Sequence, residues 1–249
     1  MSWKNLMPSK KMLALMLAPG MVFVSTLSMQ RSALSLNFDT PGSDVGQPGS
    51  SIGGGVRGTA CIPNNEEVPD EKEEIVGLMP SQNIGAVGRT VSKTPTLFWY
   101  VPENYAEIGE ITIVDEAGEE VYLAEFALPS KSGIIKYEIP ESVQLEEGKK
   151  YQWNMSLVCD PDDRSVDEFA RGHMLVVEES ENLEEDLAKA TNALEKASAY
   201  NKAQVWHDTL SNLAEAAKEY PEEWTELLES VGLEAIATVD VLDCCTIEN

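Results

Sequence analysis

The chain is expected to be mainly β with C-terminal α: an immunoglobulin- or fibronectin-like antiparallel β-sandwich, then a short helical hairpin plus a third helix. Three observations predict it. Residues 75–177 break into short extended pieces rich in Val, Ile, Tyr and Phe, separated by turn residues, with no helix-length pattern between them. The run Leu145-Glu146-Glu147-Gly148-Lys149-Lys150-Tyr151 places Leu145, Gly148 and Tyr151 at the spacing of a tyrosine corner. In such a corner a phenol at the start of a strand bonds back to the backbone where the chain crosses between sheets. From Glu178 onward, apolar residues recur every three or four positions instead of every two.

The N-terminus has the three parts of an export signal. Lys4, Lys10 and Lys11 precede an uncharged, mostly apolar run of 13 residues, Met12 to Val24, broken by Pro19-Gly20. Thr26 and Ser28 then stand at −3 and −1 of a cleavage site after Ser28, and Ala33 and Ser35 offer a second, so cleavage falls within residues 26–36. The run is shorter than the ~20 apolar residues a spanning helix needs. Residues 1–28 are therefore expected to be a cleaved signal, with no membrane span in the mature chain and a periplasmic or secreted location. No Cys near the cleavage region offers a lipid attachment point.

The whole chain carries a formal charge of −25; without residues 1–28 it has 15 basic and 43 acidic residues, a charge of −28. Such a field repels phosphate backbones and anionic lipid, so nucleic acid is not an expected partner. Residues 29–58 read as a flexible Gly- and Pro-rich linker that cannot bury enough surface to fold alone. Its Gly53-Gly54-Gly55 lacks the Gly-Lys-Ser/Thr ending of a phosphate loop and follows no strand. Asn64 to Glu74 is an acidic, solvated loop.

The sandwich is expected over residues 59–178. Its strands are Ile75–Met79, Thr96–Val101 between Pro95 and Pro102, Glu110–Val114, Glu120–Leu128, Ile134–Ile139, Tyr151–Cys159 and Phe169–Val177. Asp115-Glu116-Ala117-Gly118 makes a hairpin turn between the third and fourth. Within Glu120–Leu128, Tyr122, Ala124, Phe126 and Leu128 form the core face; Val121, Leu123, Glu125 and Ala127 form the other. An even number of cysteines in an exported chain invites disulfides. Cys61 lies just before the first strand and Cys159 ends the strand after the corner. Bridging them closes a loop of nearly 100 residues, which contributes at most about 4–5 kcal/mol through chain entropy. The adjacent Cys244 and Cys245 are free thiols, an intermolecular link or a metal clip, because a bridge between neighbours is strained.

Residues 179–238 are expected to be the helical cap. Leu183, Leu187, Ala190, Leu194 and Ala197 form one stripe, with Asn182 as its cap. Trp206, Leu210, Leu213, Ala217 and Tyr220 form a second, joined to the first by Tyr200-Asn201-Lys202. Pro221 suits the first turn of a third helix carrying Trp224, Leu227, Leu228 and Val231, and Gly232 ends it. The hairpin resembles a single tetratricopeptide-like unit at Trp206, Leu213, Ala216 and Pro221, without the neighbours a solenoid needs. It offers an amphipathic element for a protein partner. Residues 239–249 are expected to be a flexible tail.

Several ordered segments carry a family resemblance: Gly53 to Gly58 leading to Cys61, Gly88 to Pro102, Leu145 to Cys159, Trp206-His207-Asp208, and Leu227 to Ala237. In these segments, over about residues 53–237, the chain resembles a bacterial family known as domain of unknown function 928, best represented in cyanobacteria. The resemblance implies the same domain layout and export, and supplies no catalytic residue. The Cys244-Cys245 pair departs from the family pattern.

Candidate chemistry is sparse, and no catalytic or cofactor-binding residue is expected. His173 and His207 sit on a strand and a helix with no zinc-ligand spacing around them. Asp160, Asp162, Asp163 and Asp167 are the candidates for calcium, but they lack the loop register and central Gly of an EF-hand. No Gly-x-Ser-x-Gly elbow is present. Of Trp99, Tyr100, Tyr105, Tyr122, Tyr151 and Trp153, most fall on apolar strands, where a ring is better buried than offered to a sugar. The expected function is an exported, non-enzymatic binding or adaptor module of the cell envelope. The alternatives are an extracytoplasmic carbohydrate- or calcium-binding domain, and an enzyme of unrecognised type.

Overall fold

The computed structural model describes residues 35–38, 61–62, 74–80 and 87–245, all within one unit that spans 33–249. The expected signal at 1–28, most of the linker at 29–58 and most of the acidic loop at 64–74 lie outside the described residues.

Eight strands form: β1 (Val76–Gly77), β2 (Val87–Thr90), β3 (Thr96–Val101), β4 (Ile108–Val114), β5 (Glu120–Ala127), β6 (Gly133–Glu138), β7 (Lys150–Val158) and β8 (Glu168–Val176). A three-stranded sheet has the order β1-β3-β6 and a five-stranded sheet the order β2-β8-β7-β4-β5. Every pairing is antiparallel except β2 beside β8. Seven of the eight match the expected strands within one or two residues at each end, β1 keeping only two residues. β2 is additional: four residues with one aliphatic side chain carry no alternation to read.

The sheets share one buried cluster that includes Leu97, Trp99 and Val101 of β3, Ile111 and Ile113 of β4, and Trp153 and Met155 of β7. Trp99 meets Trp153 edge to face, ring centroids 5.6 Å apart, and the Tyr122 and Tyr137 hydroxyls are 2.6 Å apart. On β3, Phe98 is buried as well as its neighbours Leu97 and Trp99. Successive side chains point to opposite faces, so this sheet is covered on both sides, which is why its strand reads as the continuous apolar run TLFWYV.

Four helices follow, α1 (Glu181–Lys189), α2 (Ala193–Lys202), α3 (Trp206–Glu215) and α4 (Pro221–Ser230), and the last three supply the second cover. The first expected stripe is thus two helices, divided at Ala190–Asn192. Asn192 accepts from the Glu195 N–H, and the Glu195 carboxylate reaches back to the Thr191 N–H and hydroxyl. This reciprocal cap starts a new helix within an unbroken apolar stepping. The cap of α1 is Ser180, whose hydroxyl accepts from the Leu183 N–H, and not Asn182. The turn between α2 and α3 falls at Ala203–Val205, with Gln204 at φ +57°, one residue beyond the expected link. Leu194, Ala197, Trp206, Leu210, Leu213, Trp224, Leu227 and Leu228 join the cluster of the sheets. The indole of Trp206 donates to the Leu78 carbonyl at 2.8 Å. Residues 35–38, assigned to the linker by sequence, pack here too: Phe38 meets Trp206 edge-on with centroids 4.9 Å apart.

At the corner before β7, the Glu146 N–H donates to the Tyr151 hydroxyl at 3.0 Å. Leu145 is buried beneath the turn, and Gly148 supplies its left-handed residue at φ +79°. Tyr151→Phe removes one hydrogen bond and leaves the Glu146 N–H to find water. Urea denaturation should show a loss of about 1 kcal/mol. Cys61 and Cys159 are bridged.

Residues 239–245, a tail by sequence, lie along β6. The Ile134 N–H donates to the Asp240 carbonyl at 2.9 Å, and the Leu242 N–H to the Ile134 carbonyl at 2.7 Å. Leu242 covers Gly133, where a Cβ would collide with its side chain. Cys244 and Cys245 are joined to each other.

Candidate functional site

The acidic loop after β7 is occupied by its own chain. Asp167 accepts from the Cys159 N–H at 3.0 Å and from Arg164 Nε at 2.6 Å. Arg164 also grips Glu110 of β4 through both of its terminal nitrogens, which raises its pKa further above the ordinary value. Asp163 accepts from the Ser165 N–H and hydroxyl, which lowers its pKa, and Asp160 accepts from the Asp162 N–H. A cation would have to displace an arginine and several backbone donors. Among the described residues no group of three or more His, Cys, Asp or Glu side chains is arranged to hold a metal.

Trp99, Tyr151, Trp153, Trp206 and Trp224 are buried, and Tyr100 and Tyr122 partly so. Tyr105 alone of these rings stands out in solvent, 71% exposed. One isolated ring makes no platform for a sugar.

His207 and Asp208, in the first turn of α3, form a joint with the end of β2. The Val91 N–H donates to Asp208 Oδ2 at 3.1 Å. His207 is 3% exposed, its Nε2 lies against Gly88, and it has no hydrogen-bond partner. Any side chain at Gly88 would collide with this imidazole. Burial holds the His207 pKa down at about 4. The unfolded chain, with a pKa near 6.5, binds the proton that the native chain refuses, so this residue makes the fold more stable as pH rises from 4 to 6.5. Asp208 acts in the opposite sense. Burial lifts its pKa from 3.8 to about 6, against the lowering effect of bonds from Thr90 and the Val91 N–H. Between those values the native chain holds the extra proton, so this residue lowers stability as pH rises. His207→Gln leaves only the falling contribution, and Asp208→Asn only the rising one. Denaturation midpoints between pH 4 and 6.5 should tilt in opposite directions in the two variants, each by roughly 2–3 kcal/mol. The joint is closed to solvent and serves the fold.

The open surface is the outer face of the five-stranded sheet. Cross-strand register sets Leu123, Thr112, Asn154 and Arg171 in one row, and Glu125, Glu110, Ser156 and Phe169 in the next. The Arg171 guanidinium sits 4.8 Å above the Phe169 ring. At one end Val114, the Asp115–Gly118 turn, Lys150, Gln152 and His173 line a recess of about 520 Å³. Burial, then the Lys150 and Arg171 charges, lower the His173 pKa.

Strand β5 closes this sheet and pairs with β4 alone, so among the described residues its second backbone edge has no strand partner. Its outward side chains include Val121 and Leu123, 38% and 49% exposed; with Tyr105 they are the exposed large apolar residues of the described chain. Glu119, Glu120 and Glu125 are exposed around them. The sequence placed Val121 and Leu123 on the face away from the core. The signal that marked them was already there: two aliphatic residues on the solvent side of an alternating strand.

A second concavity lies on the helix side. Lys136 of β6 lines two adjoining recesses of about 420 and 380 Å³, the first against α3, α4 and residues 237–243, the second beside Cys244 and Cys245.

The family model described as Domain of Unknown Function (DUF928) matches residues 52–241, which takes in every strand and helix above. Comparison with curated proteins gives no match.

Proposed function

We propose that this chain, which belongs to the family described as Domain of Unknown Function (DUF928), is an exported, non-enzymatic binding or adaptor module of the cell envelope that holds an extended, basic segment of a partner protein along β5. The observation that carries this reading is the pairing of exposed Val121 and Leu123 with an open strand edge ringed by carboxylates. An added strand would gain main-chain hydrogen bonds from the edge and apolar contact from alternate side chains. The acidic rim and the net charge of −25 favour Lys and Arg in that strand and disfavour a second copy of this chain.

The amphipathic stripes of residues 183–220 are turned inward, with Leu194, Trp206, Leu210 and Leu213 buried, so the partner surface is put on the sheet and not on the hairpin. The strand order supports an immunoglobulin-like reading. β1, β3 and β6 correspond to A, B and E, and β4, β5, β7 and β8 to C, C′, F and G, with β2 as a split first strand joining the second sheet. Export is supported by the charged and apolar N-terminus and by a bridged Cys61–Cys159, a bond that persists in oxidising compartments.

The test is site-specific photocrosslinking in the native envelope, with the probe residue at position 123 of β5 and, separately, at position 189 of α1. Adducts from 123 that fade at high salt support the reading. Adducts from 189 with none from 123 would place the partner on the helices and refute it.

A further inference from the structure

We infer that the Cys244–Cys245 bridge is a thiol–disulfide exchange site opening on the recess beside Lys136, and that it takes a neutral or cationic dithiol. The two bridges of this chain differ in what they can do for the fold. Cys61–Cys159 spans 98 residues and constrains the unfolded chain strongly. Cys244–Cys245 joins neighbours, closes no loop of consequence, and adds almost nothing of that kind.

Its position suits exchange. Both cysteines line the 380 Å³ recess together with Phe98, Lys136 and Ser211. Cys244 is partly exposed there, while Cys245 is 9% exposed and packs into the core cluster. Cys245 is also held at φ +68°, a conformation that crowds the Cβ of any residue but glycine. Opening the bridge frees residue 245 to leave it. Glu138, Glu141 and Glu215 line the same recess. Three carboxylates against one ammonium repel an anionic thiol and admit a neutral or cationic one.

The chemistry balances as a two-electron exchange. A thiolate of the incoming dithiol attacks Cys244 Sγ, the Sγ–Sγ bond breaks, and Cys245 leaves as a thiolate that takes up a proton. The second thiol of the reagent, as its thiolate, attacks its own sulfur in the mixed disulfide and releases Cys244. The reagent ends as a disulfide, the protein as two thiols. Run in reverse, the reduced pair accepts an incoming disulfide.

The experiment uses the oxidised full chain, quenched by alkylation at intervals and read by mass spectrometry at each cysteine. Dithiothreitol should open Cys244–Cys245 at least about tenfold faster than Cys61–Cys159. Cysteamine, a cationic thiol, should outpace glutathione at equal thiolate concentration, and the gap should narrow in Glu215→Gln. Equal opening rates for the two bridges would overturn the inference. So would glutathione matching cysteamine.

Discussion

Trp153→Ala is expected to lower the unfolding free energy by about 3–5 kcal/mol, the usual cost of deleting a large buried ring. Trp153 is 1% exposed and stands in the middle of β7, opposite Ile113 of β4 and Gly172 of β8. Its ring crosses the layer to meet Trp99 of β3, with interplanar angle 82°. Two glycines are cut to its outline: a Cβ at Gly77 of β1 or at Gly172 would run into the indole. One side chain therefore spaces the two sheets. Its removal leaves a cavity bounded by two glycines that have no atoms with which to fill it. The loss is large against the roughly 5–15 kcal/mol that holds an ordinary domain together. Trp153→Phe keeps one ring and removes an indole N–H that is buried without a partner, so it should lose clearly less. Gly172→Ala should cost about 1–3 kcal/mol by overfilling the same space. Guanidinium denaturation followed by circular dichroism separates these cases. A Trp153→Ala variant within 1 kcal/mol of the parent would mean that the indole is not the spacer.

Replacing both Cys61 and Cys159 with alanine should cost a similar amount, about 4–5 kcal/mol, for a different reason. The bridge spans 98 residues, from the segment before β1 to the end of β7. It therefore limits the unfolded ensemble more than it adds to native packing. The double variant should keep its native circular dichroism and unfold at much lower denaturant, while the parent under reducing conditions moves to the same midpoint. Equal stability with and without the bridge would show that the unfolded chain is not constrained by it.

How much of this was legible depended on how locally each feature is encoded. β3 was found to the residue because Pro95 and Pro102 bracket an apolar run. The corner was found because Leu145, Gly148 and Tyr151 lie within seven residues and need only each other and the Glu146 N–H. β2 was missed because Gly88 is small for the sake of His207, more than 100 residues away, and its pairing with β8 is parallel, with no hairpin to announce it. The division of the first helical stripe was hidden in a different way. Apolar stepping reports which face is buried, and α1 and α2 bury the same kind of face; only the reciprocal bonds of Asn192 and Glu195 mark the restart. Packing of residues 239–245 rests on Leu242 meeting Gly133, a contact between remote segments that no periodicity records.

The candidate surface was half legible. Alternation in β5 assigned Val121 and Leu123 to the solvent face correctly, as their exposure attests. That β5 closes the sheet depends on strand order, which comes from long-range pairing. An exposed Leu in mid-sheet is ordinary, whereas the same Leu on an open edge invites a partner strand.

Amide hydrogen exchange across β5 tests the central claim most directly, in the protein alone and in complex with the partner captured through residue 123. Amides of Glu120–Ala127 that do not bond to β4 should exchange quickly in the free chain and become protected, in alternation, when the partner binds. Unchanged exchange along β5, with new protection in α1 and α2 instead, would contradict it.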